Sequence, residues 1–300
     1  MKQRRSFFSA TFGEKAFDTI NSILIIILSL LVLYPFWYCI ILSFNDGVDA
    51  LKGPLYLIPR KFTLDNYAFV LSSSQIVTAA VNSVLRTVLG VLLQLLITGV
   101  AAYGLSKKQI LCHKVYMLFF LFTMYFSGGL IPTYLLYRNI GLVDNFLVYI
   151  LPGAWSFYNA ILIMAYYESI PEALEEAATI DGAGKIAIFF RIILPASMPI
   201  FATIAIFTGV AQWNSWFDTV IYTTSPKLVT LQSFMMRMLN EAEALKELAK
   251  NATGGTVLPT VKPATVRVAT LVITTFPITV IYPFLQKYFV KGLMIGSVKG

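Results

Sequence analysis

Two neighbouring residues, Cys112 and His113, could in principle carry out catalysis. A thiol beside an imidazole is a pairing that covalent catalysis uses, but adjacent residues need not face each other. His113 is the only histidine of the chain, which excludes a zinc site of the His-Glu-x-x-His type. The other cysteine, Cys39, lies far away in an apolar run. We therefore expect no catalytic residue and no metal site, and a structural role for both cysteines.

The stretch DGAGKIA, residues 181–187, contains the Gly-Lys pair that is typical of a phosphate-binding P-loop. A P-loop also needs a glycine where Thr179 stands and a serine or threonine where Ile186 stands. Because neither is present, we interpret the stretch as a helix stop followed by a turn, and we expect this chain to bind no ATP in that way.

The segment before this turn is acidic, although the chain around it is apolar. Ser169 and Glu172 have the spacing of a capping box, and Pro171 is tolerated in a first helical turn. Gly182 can adopt the left-handed conformation that ends a helix. These signals predict a helix of about three turns over residues 170–181. Five acidic residues fall within fourteen positions: Glu168, Glu172, Glu175, Glu176 and Asp181.

The two faces of this predicted helix differ in chemistry. A helix that rests on anionic lipid should be basic, whereas this one is acidic. Small alanines on its apolar face would let another backbone come close, so the pattern predicts contact with a protein partner. Helical spacing places Ala173, Leu174, Ala177 and Ile180 on one face, and Glu172, Glu175, Glu176 and Thr179 around the other.

Long apolar runs must position these residues. The chain is 57% hydrophobic and 13% charged, with a mean hydropathy of +0.73, whereas soluble domains carry about 25% charged residues. A bilayer core of roughly 30 Å needs about 20 apolar residues in a helix. The sequence therefore predicts an all-α integral membrane protein with six transmembrane helices. The runs are residues 19–44, 76–106, 115–137, 146–167, 192–217 and 266–289.

The lysines and arginines indicate an orientation and exclude one class of partner. The net charge is +8, but the basic residues lie between the apolar runs rather than on one face, which argues against nucleic acid. With both termini in the cytoplasm, the inner segments carry more Lys and Arg than the outer ones, as the positive-inside rule requires. The acidic helix then faces the cytoplasm, and the long loop at residues 218–265 faces outward.

The acidic segment carries a resemblance to a known family. Glu176-Ala177-Ala178, Gly182, Ile192 and Leu194-Pro195 stand at the spacing of the EAA loop found in the permease subunits of ABC importers. The resemblance covers nearly the whole chain and is similar in detail to the carbohydrate-uptake branch, specifically its maltose-type second permease. The stretches that resemble this branch are Asn82-Ser83, AAYGLS (residues 101–106), WNSWFD (residues 213–218) and YPFLQKYFVKGLMIGSVKG (residues 282–300).

This resemblance implies a type I importer fold with a permease core at residues 76–290, preceded by residues 1–75 and followed by a cytoplasmic tail at residues 291–300. The acidic helix would be the coupling helix, which docks on an ATPase that binds ATP and Mg, while this chain would bind no cofactor. Further implied partners are a homologous second permease, two ATPase subunits, an extracytoplasmic sugar-binding protein and the lipid bilayer. The implied coupling residues are Glu172, Glu175, Glu176, Ala177, Ala178, Asp181 and Gly182.

The tail itself has two readings. Lys287, Lys291 and Lys299 follow the last apolar run and could simply anchor it by the positive-inside rule. The family-like ending suggests instead that residues 296–300 reach the ATPase dimer.

Polar residues inside the runs are candidates for a translocation path. Arg86 stands ten residues into the second run, close to mid-bilayer, where an arginine costs about 2.5 kcal/mol or more. Either the run boundary is displaced, so that Arg86 snorkels outward or bonds helix-end carbonyls, or Arg86 lines the path and holds an anionic substrate. The other candidates are Tyr158, Asn159, Gln212, Trp213, Asn214 and Trp216.

Two readings of these other candidates stay open. They could form an interfacial aromatic belt with interhelical hydrogen bonds, or they could stack on sugar rings and bond hydroxyls. Pro195, Pro199, Pro277 and Pro283 could kink helices for alternating access or only for packing.

The function that the sequence favours is import of a sugar or oligosaccharide by a non-catalytic permease subunit. The alternative is a self-sufficient secondary transporter or channel, which should carry intramembrane carboxylates for ion coupling. No Asp or Glu occurs in the first four predicted spans or in the sixth.

Overall fold

The computed structural model describes residues 12–251 and 264–296, and the regular secondary structure within them is helical apart from one isolated β-bridge between Asn45 and Phe62. The predicted all-α fold class is confirmed. Residues 297–300 of the predicted tail lie outside the described residues, so a tail contact stays a prediction.

The chain divides into two compact units, one of residues 1–72 and 255–273 and the other of residues 73–254 and 274–300. The first helices are α1 Phe12–Ser43, α2 Gly47–Ala50, α3 Asp65–Ser72, α4 Ser74–Ser106, α5 His113–Tyr125 and α6 Leu130–Asn139. A 3₁₀ turn at Phe146–Tyr149 leads to α7 Phe157–Tyr167, α8 Ala173–Ile180 and α9 Lys185–Ile188. After a π turn at Phe189–Ile193 come α10 Leu194–Ala196, α11 Met198–Asn214 and α12 Phe217–Tyr222. A 3₁₀ turn at Pro226–Leu228 precedes α13 Leu231–Asn251 and α14 Ala264–Gly296.

One buried amide joins three elements of the first unit. The Asn66 side chain donates to the backbone carbonyls of Ser43 and Asn45, both at 2.9 Å, and accepts from the Thr265 hydroxyl at 2.9 Å. These bonds satisfy the polar groups of Asn66, which is 6% exposed, and tie the end of α1, the start of α3 and the start of α14 to one another. Most apolar side chains of α1 are exposed, as a lipid-facing helix requires.

The second unit is built on α4, which packs against α11 and α7. Its main core joins the middle of α7 to the end of α4, the π turn and α11, and it is fully buried at Ala160, Ile163 and Ile188. Gly99 on α4 lets the Phe201 ring of α11 approach closely, since a Cβ there would lie 2.5 Å from the ring. The close approach of α4 and α11 therefore depends on a residue without a side chain.

Three helical segments in the described residues are long and apolar enough to cross a membrane: Lys15–Ser43, Ser74–Ser106 and Ala264–Ile281. Two bent helix pairs raise this number to five if each pair counts as one span. The second and sixth predicted runs are thus continuous helices. α14 also continues through Pro277 and Pro283.

The third and fifth predicted runs are each bent, the fifth at the prolines that were named as candidates for a kink. α5 and α6 meet at 109°, because the chain leaves the helix at Phe126 and turns at Gly129, whose φ is +87°. In the fifth run the helix Lys185–Ala196 meets α11 at 77° at Ser197, between Pro195 and Pro199. Prolines cannot continue the backbone ladder, so a break is the expected result of this pair.

The fourth run, residues 146–167, is helical only in part. It begins with the 3₁₀ turn and has no helix at Pro152 and Gly153. α7 then begins after Ser156, whose hydroxyl accepts from the Asn159 N–H at 3.3 Å. Gly153 in this break lies against α11, since a Cβ there would come within 3.2 Å of Gln212 Nε2.

The packing of α4 on α11 gives a test with a matched control. Gly99→Ala should force the buried Phe201 ring to move, and overpacking of this kind costs about 1–3 kcal/mol. Gly104→Ala, in the same helix, meets nothing within 4 Å and replaces glycine by a better helix former. Thermal unfolding in detergent should show a lower midpoint for Gly99→Ala only. Equal midpoints for the two variants would contradict the close contact.

Candidate coupling helix and translocation cavity

The acidic segment forms α8, which is shorter than predicted. The helix spans Ala173–Ile180, and Glu172 at its N-cap makes no side-chain capping bond. The predicted capping box is wrong, because the Ser169 hydroxyl donates instead to the Tyr166 carbonyl at 2.6 Å. Ser169 thus satisfies the end of α7, where carbonyls lack helical partners, rather than the start of α8.

The end of α8 follows the prediction. Gly182 has a φ of +82°, its N–H donates to the Thr179 carbonyl at 3.0 Å, and the Ala183 N–H donates to the Ala178 carbonyl at 2.9 Å. This pair of bonds is the Schellman motif, which places a left-handed residue after the last helical turn. A Cβ at Gly182 would meet nothing within 4 Å, so any substitution there is penalised through its backbone conformation alone.

The apolar face of α8 is open. Leu174, Ala177 and Ile180, here called the docking stripe, are all exposed, with Ile180 at 86%. The opposite side is closed by Ala178, which is 8% exposed. An exposed apolar stripe flanked by carboxylates is suited to a protein partner. The exposed carboxylates beside it are Glu172, Glu176 and Asp181.

Glu175 points inward and anchors α8 to the end of α4. Its carboxylate accepts from Lys107 Nζ at 2.5 Å and from the Tyr103 hydroxyl at 3.0 Å. Lys107 also lies 4.9 Å from the centre of the Tyr103 ring. The sequence pattern does not predict these partners, since they depend on the packing of two helices that are distant in the chain.

A second polar region is a cavity of about 700 Å³ among α4, α7, α11 and α12. Four of the predicted path residues line it, namely Arg86, Tyr158, Asn159 and Gln212. Polar groups on its walls alternate with apolar ones, which suits a ligand that carries both. The other lining residues are Gln94, Tyr137, Val148, Tyr149, Pro152, Gly153, Phe207, Thr208, Ala211, Ser215, Asp218 and Tyr222.

Arg86 is 2% exposed and makes hydrogen bonds through every nitrogen of its guanidinium. Nε and Nη2 donate to Gln212 Oε1 at 3.2 and 3.0 Å. Nη1 donates to the Ser215 carbonyl at 3.3 Å and to Asp218 Oδ1 at 3.1 Å, and Nη2 donates to Asp218 Oδ2 at 2.5 Å. Of the sequence hypotheses for Arg86, outward snorkelling is wrong, and a bond to a helix-end carbonyl is found at Ser215.

The forked ion pair explains how an arginine can be buried here. An unpaired buried charge is strongly destabilising. A carboxylate that accepts two parallel hydrogen bonds from the guanidinium compensates the positive charge with good geometry. One feature of the sequence could have identified Asp218 as a functional residue: it is the only acidic residue between positions 182 and 240. Which arginine it meets follows only from the fold.

The remaining predicted path residues lie away from this cavity. Trp213 is buried and its indole donates to the Thr274 carbonyl at 3.0 Å. Asn214 accepts from the Gln232 side chain at 3.3 Å, and Trp216 packs edge-on against Phe217.

A loop contact is made by the carboxylate of Asp144. Asp144, with a φ of +60°, accepts from the Ser225 and Thr224 N–H groups at 2.9 and 3.0 Å. These bonds lower the pKa of the Asp144 carboxyl below its usual value, and the bond from Ser225 has the largest effect. The contact joins the segment before the 3₁₀ turn Phe146–Tyr149 to the segment after α12.

Residues 7–295 of the chain match the family of binding-protein-dependent transport system inner membrane components. The chain is 33% identical over 287 residues to the polygalacturonan/rhamnogalacturonan transport system permease protein YtcP of Bacillus subtilis (strain 168), covering 96% of this chain and 99% of that protein. It is 36% identical over 292 residues to the protein LplC of the same organism, covering 97% of each.

A solved structure is also similar over most of the chain. A crystal structure of a bacterial ABC transporter involved in the import of the acidic polysaccharide alginate contains a chain that matches with a TM-score of 0.82 at 30% identity. The match covers 93% of this chain and 99% of that chain.

The anchor of α8 can be tested by hydrogen–deuterium exchange. Lys107→Gln and Glu175→Gln each remove the ion pair between α8 and the end of α4, so amides of Ala173–Ile180 should exchange about two- to fivefold faster, in keeping with a partly exposed ion pair. Lys108→Gln removes the same charge from the neighbouring exposed lysine and should leave the exchange unchanged. Equal exchange in all three variants and the wild type would refute the anchor.

Proposed function

This chain belongs to the family of binding-protein-dependent transport system inner membrane components, and on that premise we propose how it acts. It is a membrane permease subunit of an ABC importer. We propose that it carries an oligosaccharide and that α8 couples this movement to ATP hydrolysis by partner subunits.

The polar cavity is the observation that supports a carbohydrate. Within the described residues, the Asn159 amide and the Tyr158 hydroxyl make no side-chain hydrogen bond, so both are available at its wall. An amide can pair with neighbouring sugar hydroxyls, and the apolar and aromatic faces beside it can cover the sugar ring. The names of two similar proteins add support, since both concern polysaccharides: polygalacturonan and rhamnogalacturonan for one, and alginate for the other.

The coupling proposal rests on α8. Its docking stripe is exposed, its EAA residues stand at the family spacing, and Glu175 ties it to α4. An ATPase that binds ATP and Mg would dock on this stripe, and this chain would bind no cofactor of its own. Movement of the ATPase would displace α8 and, through the Lys107–Glu175 contact, the long helix α4.

The complete assembly that we propose contains this chain, a homologous second permease, two ATPase subunits and an extracytoplasmic sugar-binding protein. Both termini would lie in the cytoplasm, in keeping with the distribution of Lys and Arg. The loop at residues 218–265 would then face outward, where the binding protein delivers its substrate. The family membership sets aside a self-sufficient secondary transporter or channel.

The substrate class can be tested with the assembled complex in proteoliposomes. Uptake of labelled neutral and uronate-containing oligosaccharides should require internal ATP and the loaded binding protein. Amino acids and short peptides serve as control solutes. ATP-dependent uptake of a peptide or amino acid, with no uptake of any oligosaccharide, would disprove the carbohydrate proposal.

The coupling proposal is tested by two variants of α8 and its cap. Glu176→Lys reverses a charge beside the docking stripe, and Gly182→Asp forces a side chain into a left-handed turn at a cost of about 1–2 kcal/mol. Both should keep a normal membrane level while co-purification of the ATPase and uptake are lost.

Two matched controls accompany these variants. Glu168→Lys makes the same charge reversal at an exposed residue before α8, and Gly184→Asp adds the same charge where φ is −71° and nothing lies within 4 Å. Both controls should retain the ATPase. Full uptake in Glu176→Lys and in Gly182→Asp would rule out docking through α8.

A further inference from the structure

We infer that Arg86, Asp218 and Gln212 form a fixed clamp that positions the cavity wall, and that Arg86 is a positioning residue rather than a ligand of the substrate. The transport measurements that test this inference rest on the proposed function, whereas the stability measurements do not depend on it.

The guanidinium donors of Arg86 are already used inside the chain. An arginine has five N–H groups, and the structure gives Arg86 five hydrogen bonds inside the chain, shared among Gln212, Ser215 and Asp218. A guanidinium offers a carboxylate two forked edges, and both are occupied, Nη1/Nη2 by Asp218 and Nε/Nη2 by Gln212 Oε1. A substrate carboxylate could reach Arg86 only by displacing Asp218 or Gln212.

A substrate has little access to the Arg86 guanidinium. The Arg86 side chain is 2% exposed, while that of Asp218 is 22% exposed. One face of the guanidinium is covered by the Tyr149 ring, whose centre lies 4.6 Å from Cζ. The Arg86 guanidinium is thus enclosed by protein, and the exposed part of the ion pair is the Asp218 carboxylate.

The backbone around the clamp leaves room for the Gln212 side chain. A Cβ at Gly90 would lie 2.8 Å from Gln212 Nε2, and one at Gly153 would lie 3.2 Å from the same atom. Gln212 also donates to the Tyr149 carbonyl at 3.2 Å. Because Gly90 and Gly153 have no side chains, the Gln212 amide fits between them and accepts two of the five Arg86 hydrogen bonds.

The clamp fixes the place where α11 ends. It connects α4, through Arg86, to the last turn of α11, to the Ser215 carbonyl and to α12. Ser215 has extended backbone, and its hydroxyl donates to Asp218 at 3.0 Å. Without the clamp, the break between α11 and α12 would lose the hydrogen bonds that Arg86 makes to Ser215 and Asp218.

The clamp also determines what the cavity offers a substrate. Arg86 and Asp218 cancel in charge, and no other Lys, Arg, Asp or Glu lines the cavity among the described residues. This wall therefore recognises hydroxyl groups and ring faces, whereas any carboxylates of an acidic oligosaccharide must be compensated elsewhere in the assembled transporter. Discrimination between acidic and neutral oligosaccharides should not depend on Arg86.

The test compares four variants in the purified complex: Arg86→Lys, Arg86→Gln, Asp218→Asn and the double variant Arg86→Gln/Asp218→Asn. Each single variant leaves part of a buried ion pair unsatisfied, and should lower the thermal midpoint by several degrees and the maximal uptake rate by at least about tenfold. Arg86→Lys should fail as Arg86→Gln does, because one ammonium group cannot replace the fork. The double variant should recover part of the midpoint and of the membrane level.

For the transport readouts, neutral and uronate-containing oligosaccharides should lose maximal rate by the same factor, with KM little changed. Arg138→Gln, which neutralises an exposed arginine, is the control and should behave as the wild type. A rise in KM for the acidic oligosaccharide alone, or full acidic uptake in Arg86→Lys, would overturn the inference. So would a double variant no more stable than the worse single variant.

The failure of the clamp and that of the proposed function are distinguishable. If the wild-type complex takes up no oligosaccharide, the proposed function fails, whereas the thermal midpoints of the four variants still test whether Arg86 and Asp218 are coupled.

Discussion

A guanidinium buried in an apolar helix bundle is the constraint on which the second unit of this protein depends. The cost of an unpaired charge there exceeds any single packing term, so the fold must bring a carboxylate to Arg86. Asp218 meets that need only if α11 ends at Asn214, the chain turns through Ser215, and α12 begins at Phe217. The turn between α11 and α12 brings Asp218 to this one group, and Gly90 and Gly153 leave room for Gln212 beside it.

The same long helix carries the second ionic contact. α4 holds Arg86 near its first third and is followed by Lys107, which binds Glu175 of α8. At about 1.5 Å per residue the two contacts lie roughly 30 Å apart along one helix. A helix pinned at both places is a rigid link between the proposed ATPase docking surface and the cavity. On this account, displacement of α8 reaches the cavity wall through the backbone of α4, without a separate relay of side chains.

The sequence predicts the local features of this design and not its tertiary contacts. Composition and run length predict the all-α membrane fold, and Gly182 predicts the end of α8, because both depend on short-range chemistry. The capping box at Ser169 was wrong because its hydroxyl had a nearer acceptor at the end of α7. The bend in the third run was not predicted, since hydropathy does not register a turn at Gly129, whereas Pro195 and Pro199 indicate a possible kink near Ser197. The partners of Arg86 and Glu175 could not be predicted, because each pair joins helices whose approach is fixed by the whole bundle.

The most direct measurement of the central claim is a structure of the assembled transporter in lipid nanodiscs, determined with and without bound ATP in the presence of an acidic oligosaccharide. The account predicts that the Arg86 guanidinium stays within 4 Å of the Asp218 carboxylate in both states, and that α8 lies against an ATPase subunit while the Lys107–Glu175 contact persists. A structure in which Arg86 leaves Asp218 and binds a carboxylate of the oligosaccharide in the cavity would contradict it.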